Sequence, residues 1–75
     1  MQNARYFVVR DRNQWLIKYN DKDYGPYLTQ AEATLFAVDA ARKLSGRGES
    51  AAVYCMGENG RFRREWACEQ NEQAA

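Results

Sequence analysis

The chain has 75 residues, a net charge of +1, and 45% hydrophobic, 13% aromatic and 28% charged residues, a globular rather than a disordered balance. That length gives one domain with a thin core, since a chain of this size buries only about 60–65% of the surface its unfolded form exposes. The sequence has no histidine and two cysteines, which excludes a Ser-His-Asp or Cys-His nucleophile system and leaves too few soft ligands for an ordinary zinc site.

No apolar run approaches the roughly 18 residues that a membrane span needs. The first five residues, Met1-Gln2-Asn3-Ala4-Arg5, contain no apolar stretch of the secretory kind, so the expected location is the cytoplasm. Cys55 and Cys68 are expected as free thiols. If residues 57–60 close a hairpin, Cys55 faces about Phe62, and Cys68 lies roughly 20 Å further on at about 3.4 Å per residue.

In chain order, residues 5–10 (Arg5-Tyr6-Phe7-Val8-Val9-Arg10) and 14–19 (Gln14-Trp15-Leu16-Ile17-Lys18-Tyr19) are β-branched and aromatic. Asp11-Arg12-Asn13 between them has the length of a three-residue hairpin loop, with Asn13 suited to the left-handed position. Residues 20–28 are polar and turn at Tyr24-Gly25-Pro26-Tyr27. Thr29 and Glu32 then form a capping box that starts a helix running to Leu44, with Gly46 placed to end it in the left-handed conformation. Residues 51–56 read as a third strand, Gly57-Glu58-Asn59-Gly60 as a turn, and residues 61–66 as a fourth strand. The polar tail, residues 69–75, is expected to fray around an ordered core of about 5–67. The whole predicts an α+β domain, β-β-α-β-β: a four-stranded, mostly antiparallel sheet of two hairpins, with one helix packed on one face.

Side-chain alternation then sorts the strands. Phe7, Val9, Trp15 and Ile17 share one face of the first hairpin, and Val53, Cys55, Phe62 and Trp66 one face of the second, with Arg64 among them. These eight apolar residues are the expected core, opposite a helix stripe of Ala33, Ala37, Ala40 and Leu44 flanked by Phe36 and Ala41. The other sheet face is expected to carry Tyr6, Val8, Arg10, Leu16, Lys18, Tyr54, Met56, Arg61, Arg63 and Glu65. One helix covers one face only, so this second face meets either water or a partner.

These landmarks resemble a group of small bacterial proteins, domain-of-unknown-function family 2188. The resemblance rests on Tyr6-Phe7-Val8-Val9, Trp15-Leu16-Ile17, Tyr27 with the Thr29–Ala33 helix start, Ala40–Leu44 at the helix end, and Asn59–Phe62 entering the last strand. It covers about residues 5–67. Core and turn positions carry it, so it implies the fold and brings no catalytic residues. Where the family often has a glycine-rich first turn, this chain has Asp11-Arg12-Asn13.

The glycine pairs 46/48 and 57/60 do not lead into a helix N-terminus and read as ordinary turns rather than phosphate loops. Asp21 and Asp23 lack the later ligands of a calcium loop. No catalytic residue, cofactor or metal is expected. The leading expectation is a non-enzymatic protein-interaction or self-associating module, a homodimer being the simplest case. Its candidate surfaces are the second sheet face (Tyr6, Arg10, Lys18, Tyr54, Met56, Arg61, Arg63) and the outer helix strip (Leu35, Val38, with Ala31). The alternative is a nucleic-acid-binding domain, with Arg10, Lys18, Arg61 and Arg63 on phosphates and Tyr6 or Tyr54 stacking on bases. Residues 1–22 carry five Lys or Arg against two Asp, which favours this alternative, whereas the overall charge of +1 does not.

Overall fold

The computed structural model describes residues 3–68; the polar tail of residues 69–75 lies outside the described residues. The elements are β1 (Asn3–Asp11), β2 (Gln14–Tyr19), β3 (Lys22–Tyr27), α1 (Gln30–Ser45), β4 (Ser50–Met56) and β5 (Phe62–Cys68). They form one five-stranded sheet in the order β3-β2-β1-β4-β5. β1 and β4 are parallel and every other neighbouring pair is antiparallel. The expected four-stranded, mostly antiparallel sheet is therefore corrected to a five-stranded mixed one.

β3 is the strand that alternation cannot find. Its sequence, Lys-Asp-Tyr-Gly-Pro-Tyr, mixes charge, glycine and proline, and every residue before Tyr27 is exposed. It lies at the edge, and Pro26 falls at a shift in its pairing with β2, both places where a strand tolerates a missing N–H. Gly25, at φ 131°, precedes Pro26 across a cis bond. A Cβ on Gly25 would come within 3.1 Å of the Trp15 carbonyl and 3.2 Å of the Leu16 and Tyr27 side chains, so this position requires glycine.

The first turn sets the register. Asp11 pairs with Gln14, so the loop is two residues long, and Arg12 rather than Asn13 takes the left-handed conformation at φ 62°. Shortening the expected loop by one residue slides β1 against β2 by one, and a slip of one exchanges the faces of a strand. Trp15 and Ile17 keep the expected helix side, but Tyr6 and Val8 join them in place of Phe7 and Val9. Val8 lies opposite Ile17 on one side and Cys55 on the other, and all three are buried.

A second shift acts on β5. Val53 pairs with Trp66 but Tyr54 with Arg64, which leaves Glu65 as the extra residue of a bulge. Trp66 stays on the helix side with Val53, whereas Phe62 and Arg64 fall on the opposite face with Met56 and Tyr54. The expected core therefore loses Phe7, Val9 and Phe62.

What replaces them is small. The buried set is Ala4, Tyr6, Val8, Ile17, Ala33, Ala37, Ala41, Ala51, Val53 and Cys55, with Trp15, Tyr19, Tyr27, Val38, Ala40, Leu44 and Trp66 packed around it. Alanines at 33, 37 and 41 let α1 lie close against β4 and β1, its main contacts. Burying Val8 and Val53 stabilises by roughly 1.5–3 kcal/mol each before entropy is counted. Tyr6 stacks on Tyr19 (centroids 4.3 Å apart) and Tyr27 on Phe36 (5.2 Å), extending the core beneath β2 and β3. Hydroxyl–thiol contacts join the helix to the later strands: Thr34 to Cys55 at 2.9 Å and Ser45 to Cys68 at 2.7 Å. Both cysteines are free.

The helix ends obey local chemistry. Thr29 Oγ1 accepts from the Glu32 N–H at 3.1 Å, as the capping box predicts, while the Glu32 carboxylate reaches back to the Leu28 N–H rather than to that of Thr29. Gly46 stays right-handed at φ −65°. The left-handed glycine is Gly48, at φ 89°, with its N–H on the Ser45 carbonyl and the Glu49 N–H on that of Leu44. That pair of bonds is a Schellman ending, two residues later than expected.

Candidate functional site: the uncovered sheet face

α1 covers one face of the sheet; the other carries a cluster of rings. Phe7 on β1 and Tyr54 on β4 are aligned in the parallel register, with centroids 5.2 Å apart and planes 16° from parallel. Phe62, from β5, meets Phe7 edge to face at 5.3 Å and is 47% exposed. Val9 opposite Leu16, and Met56 opposite Phe62, continue the apolar surface toward the C-terminal ends of β1 and β4. These side chains shelter one another, so all but Phe62 are half-buried although no element lies over them.

Cations rim the cluster. Register places Lys18 beside Phe7, Arg64 beside Tyr54, and Arg5 beside Ala52. Lys18 is held 3.3 Å from Asp23 on β3. Among the described residues, Arg5 and Arg64 have no carboxylate within ion-pairing distance. Arg5, Phe7, Lys18 and Asn20 surround an open hollow of about 470 Å³ at one end of the platform. Arg5, Lys18 and Arg64 against Asp11 and Asp23 leave this face with one positive charge in excess.

The residues singled out from the sequence part company here. Lys18, Tyr54 and Met56 do lie on the uncovered face. Tyr6 does not: it is buried under the helix, and burial, with the neighbouring Tyr19 and Tyr24 hydroxyls and Glu49 adding to it, pushes its pKa up to about 12. Arg10 pairs with Trp15 and Arg63 with Cys55, which puts both on the helix side, and Arg61 stands in the β4–β5 turn. Leu35 is 70% exposed on α1, while Val38 packs against the core, so the outer helix strip is interrupted. The expected loop length missed Arg5 and Phe7, and strict alternation in β5 missed Phe62 and Arg64. A two-residue first turn finds the first two, and the bulge at Glu65 the others.

Among the described residues no group of three or more histidine, cysteine, aspartate or glutamate side chains is placed to hold a metal ion. None of their helices is long and apolar enough to cross a membrane.

Fold and site together define a two-layer α+β domain: one helix against a five-stranded mixed sheet, with an aromatic face left uncovered. The chain belongs to the bacterial family described as uncharacterized protein conserved in bacteria (DUF2188), whose profile matches residues 6–68. Neither the curated proteins nor the solved structures contain a match to it.

Proposed function

We propose that the chain is a binding module rather than an enzyme, and that its uncovered face takes single-stranded nucleic acid. The observation that carries this reading is the Phe7–Tyr54 ring pair on two adjacent central strands, extended by Phe62 and rimmed by Lys18, Arg5 and Arg64. Every base offers a π-face, and base–aromatic stacking contributes about 1–3 kcal/mol per base without sequence preference. The guanidiniums at the rim meet phosphates on either side of the stacked bases. Duplex is the poorer ligand, because its bases already stack on each other.

Three phosphate contacts on a single strand give a slope of about −2 in log affinity against log salt. Fluorescence anisotropy with a labelled oligothymidine at low salt tests both parts. Phe7→Ser and the double change Arg5→Gln/Arg64→Gln are each expected to weaken binding about tenfold or more, the first through stacking and the second with a shallower salt slope. No binding at low salt, or binding indifferent to both variants, contradicts the proposal.

A second reading uses the same face for self-association. It is favoured by the continuity of Val9, Leu16 and Met56 with the rings, an apolar surface that a two-fold copy would cover. Sedimentation equilibrium separates the two: a dimer broken by Leu16→Glu supports this reading, and a monomer across the concentration range removes it.

A further inference from the structure

On the helix side, the C-terminal ends of β1 and β4 and the first residue of α1 surround a cleft of about 820 Å³. Its lining includes four arginines: Arg10 at the end of β1, Arg12 in the first turn, and Arg61 and Arg63 on either side of the start of β5. Glu58 is the one carboxylate among the lining residues. Arg63 holds Glu65 through Nε at 2.9 Å. Arg10 directs its Nε to the Arg12 carbonyl at 3.2 Å, and its two terminal nitrogens make no hydrogen bond among the described residues. Among the described residues, Arg10, Arg12 and Arg61 have no carboxylate partner.

Chain segments distant in sequence thus bring four arginines to one concavity against two carboxylates, Glu58 in the lining and Glu65 on Arg63. Arg12 adds a conformational cost, since a φ of 62° suits glycine or asparagine and disfavours arginine, and such strain gathers at functional positions. The β4–β5 turn is held firmly on its side of the cleft: Gly57 N–H to the Arg61 carbonyl at 2.7 Å, Gly60 N–H to the Gly57 carbonyl at 3.0 Å, and Arg61 N–H to Asn59 Oδ1 at 3.0 Å. At the helix N-terminus Thr29 Oγ1 accepts from the Glu32 N–H, and the Glu32 carboxylate accepts from the Leu28 N–H, just before the helix.

We propose that this cleft is a second binding site, for a small anion carrying two or more adjacent phosphate groups, such as a di- or triphosphate. Guanidinium groups bind phosphate oxygens bidentately, and four of them in so large a cleft exceed what a single phosphate engages. The site differs in its cations from the ring platform on the opposite face of the sheet, which it meets at Met56 and Phe62.

The test is an amide and arginine Nε NMR titration of the whole chain with inorganic triphosphate at low salt. Saturable shifts are expected at Arg10, Arg12, Arg61 and Arg63 and through residues 57–60, with orthophosphate at least tenfold weaker. Arg12→Gln/Arg61→Gln is expected to lower triphosphate affinity at least tenfold while leaving oligothymidine binding unchanged. Arg12→Gly, which relieves the backbone strain, serves as the variant whose loss of affinity cannot come from misfolding. Shifts that fail to saturate by about 10 mM, that fall on Arg5, Phe7 and Arg64, or that persist in the double variant overturn the proposal.

Discussion

The two faces of the sheet differ in how their large side chains are placed. On the covered face Ala33, Ala37 and Ala41 of α1 are set against Val8, Val53 and Cys55, with the rings of Tyr6, Trp15, Tyr19, Tyr27 and Trp66 packed around them. The uncovered face holds Phe7, Tyr54 and Phe62. A close helix needs small residues at its nearest approach, which the alanine stripe supplies, and Tyr6, Tyr19 and Trp66 fill the space around that stripe. The rings of the open face are the ones that the proposed nucleic-acid ligand would stack on.

Four perturbations break or sharpen that contrast, in falling order of effect. Ala37→Leu forces extra volume under the helix, where exposure is 1%, and is expected to cost about 1–3 kcal/mol or more by urea unfolding. Gly25→Ala combines an unfavourable φ with contacts of 3.1–3.2 Å and is expected to cost about 1–2 kcal/mol, read as a lower thermal midpoint. Phe62→Ser, on the open face, is expected to cost under about 1 kcal/mol of stability yet reduce oligothymidine affinity several-fold. Equal losses in both measurements would erase the distinction between the faces.

The smallest effect is confined to alkaline pH. Tyr6 has a folded pKa near 12 against about 10 in an unfolded chain, so the native state holds this proton longer. Its contribution is complete below pH 10 and is lost as pH rises through 12. Ultraviolet titration of the chain and of Tyr6→Phe is expected to assign the latest phenolate signal to Tyr6. An unchanged late signal in the variant would mean that the covered face does not exclude water there.

How much the sequence discloses follows the same division. Where one short-range rule decides, the reading is sound: the Thr29–Glu32 cap, the helix itself, and the strand at residues 51–56 are where expected. Where a single residue of register decides, it fails. Loop length between β1 and β2 depends on whether Arg12 accepts a left-handed conformation, which arginine seldom does, and this one choice exchanges Tyr6 and Val8 for Phe7 and Val9. The bulge at Glu65 likewise splits Phe62 from Trp66, although strict alternation groups them. β3 escapes because its pairing supplies what its composition denies. Of the candidate site, Lys18, Tyr54 and Met56 are legible from the sequence; the rings that join them depend on the two register shifts.

The most direct test of the ring platform is an amide and side-chain NMR map of the chain titrated with unlabelled oligothymidine at low salt. The account predicts shifts concentrated at Arg5, Phe7, Lys18, Tyr54, Phe62 and Arg64, reversed by added salt, while Ala33, Ala37 and Ala41 stay silent. Shifts centred on α1, or none on the uncovered face, would contradict it.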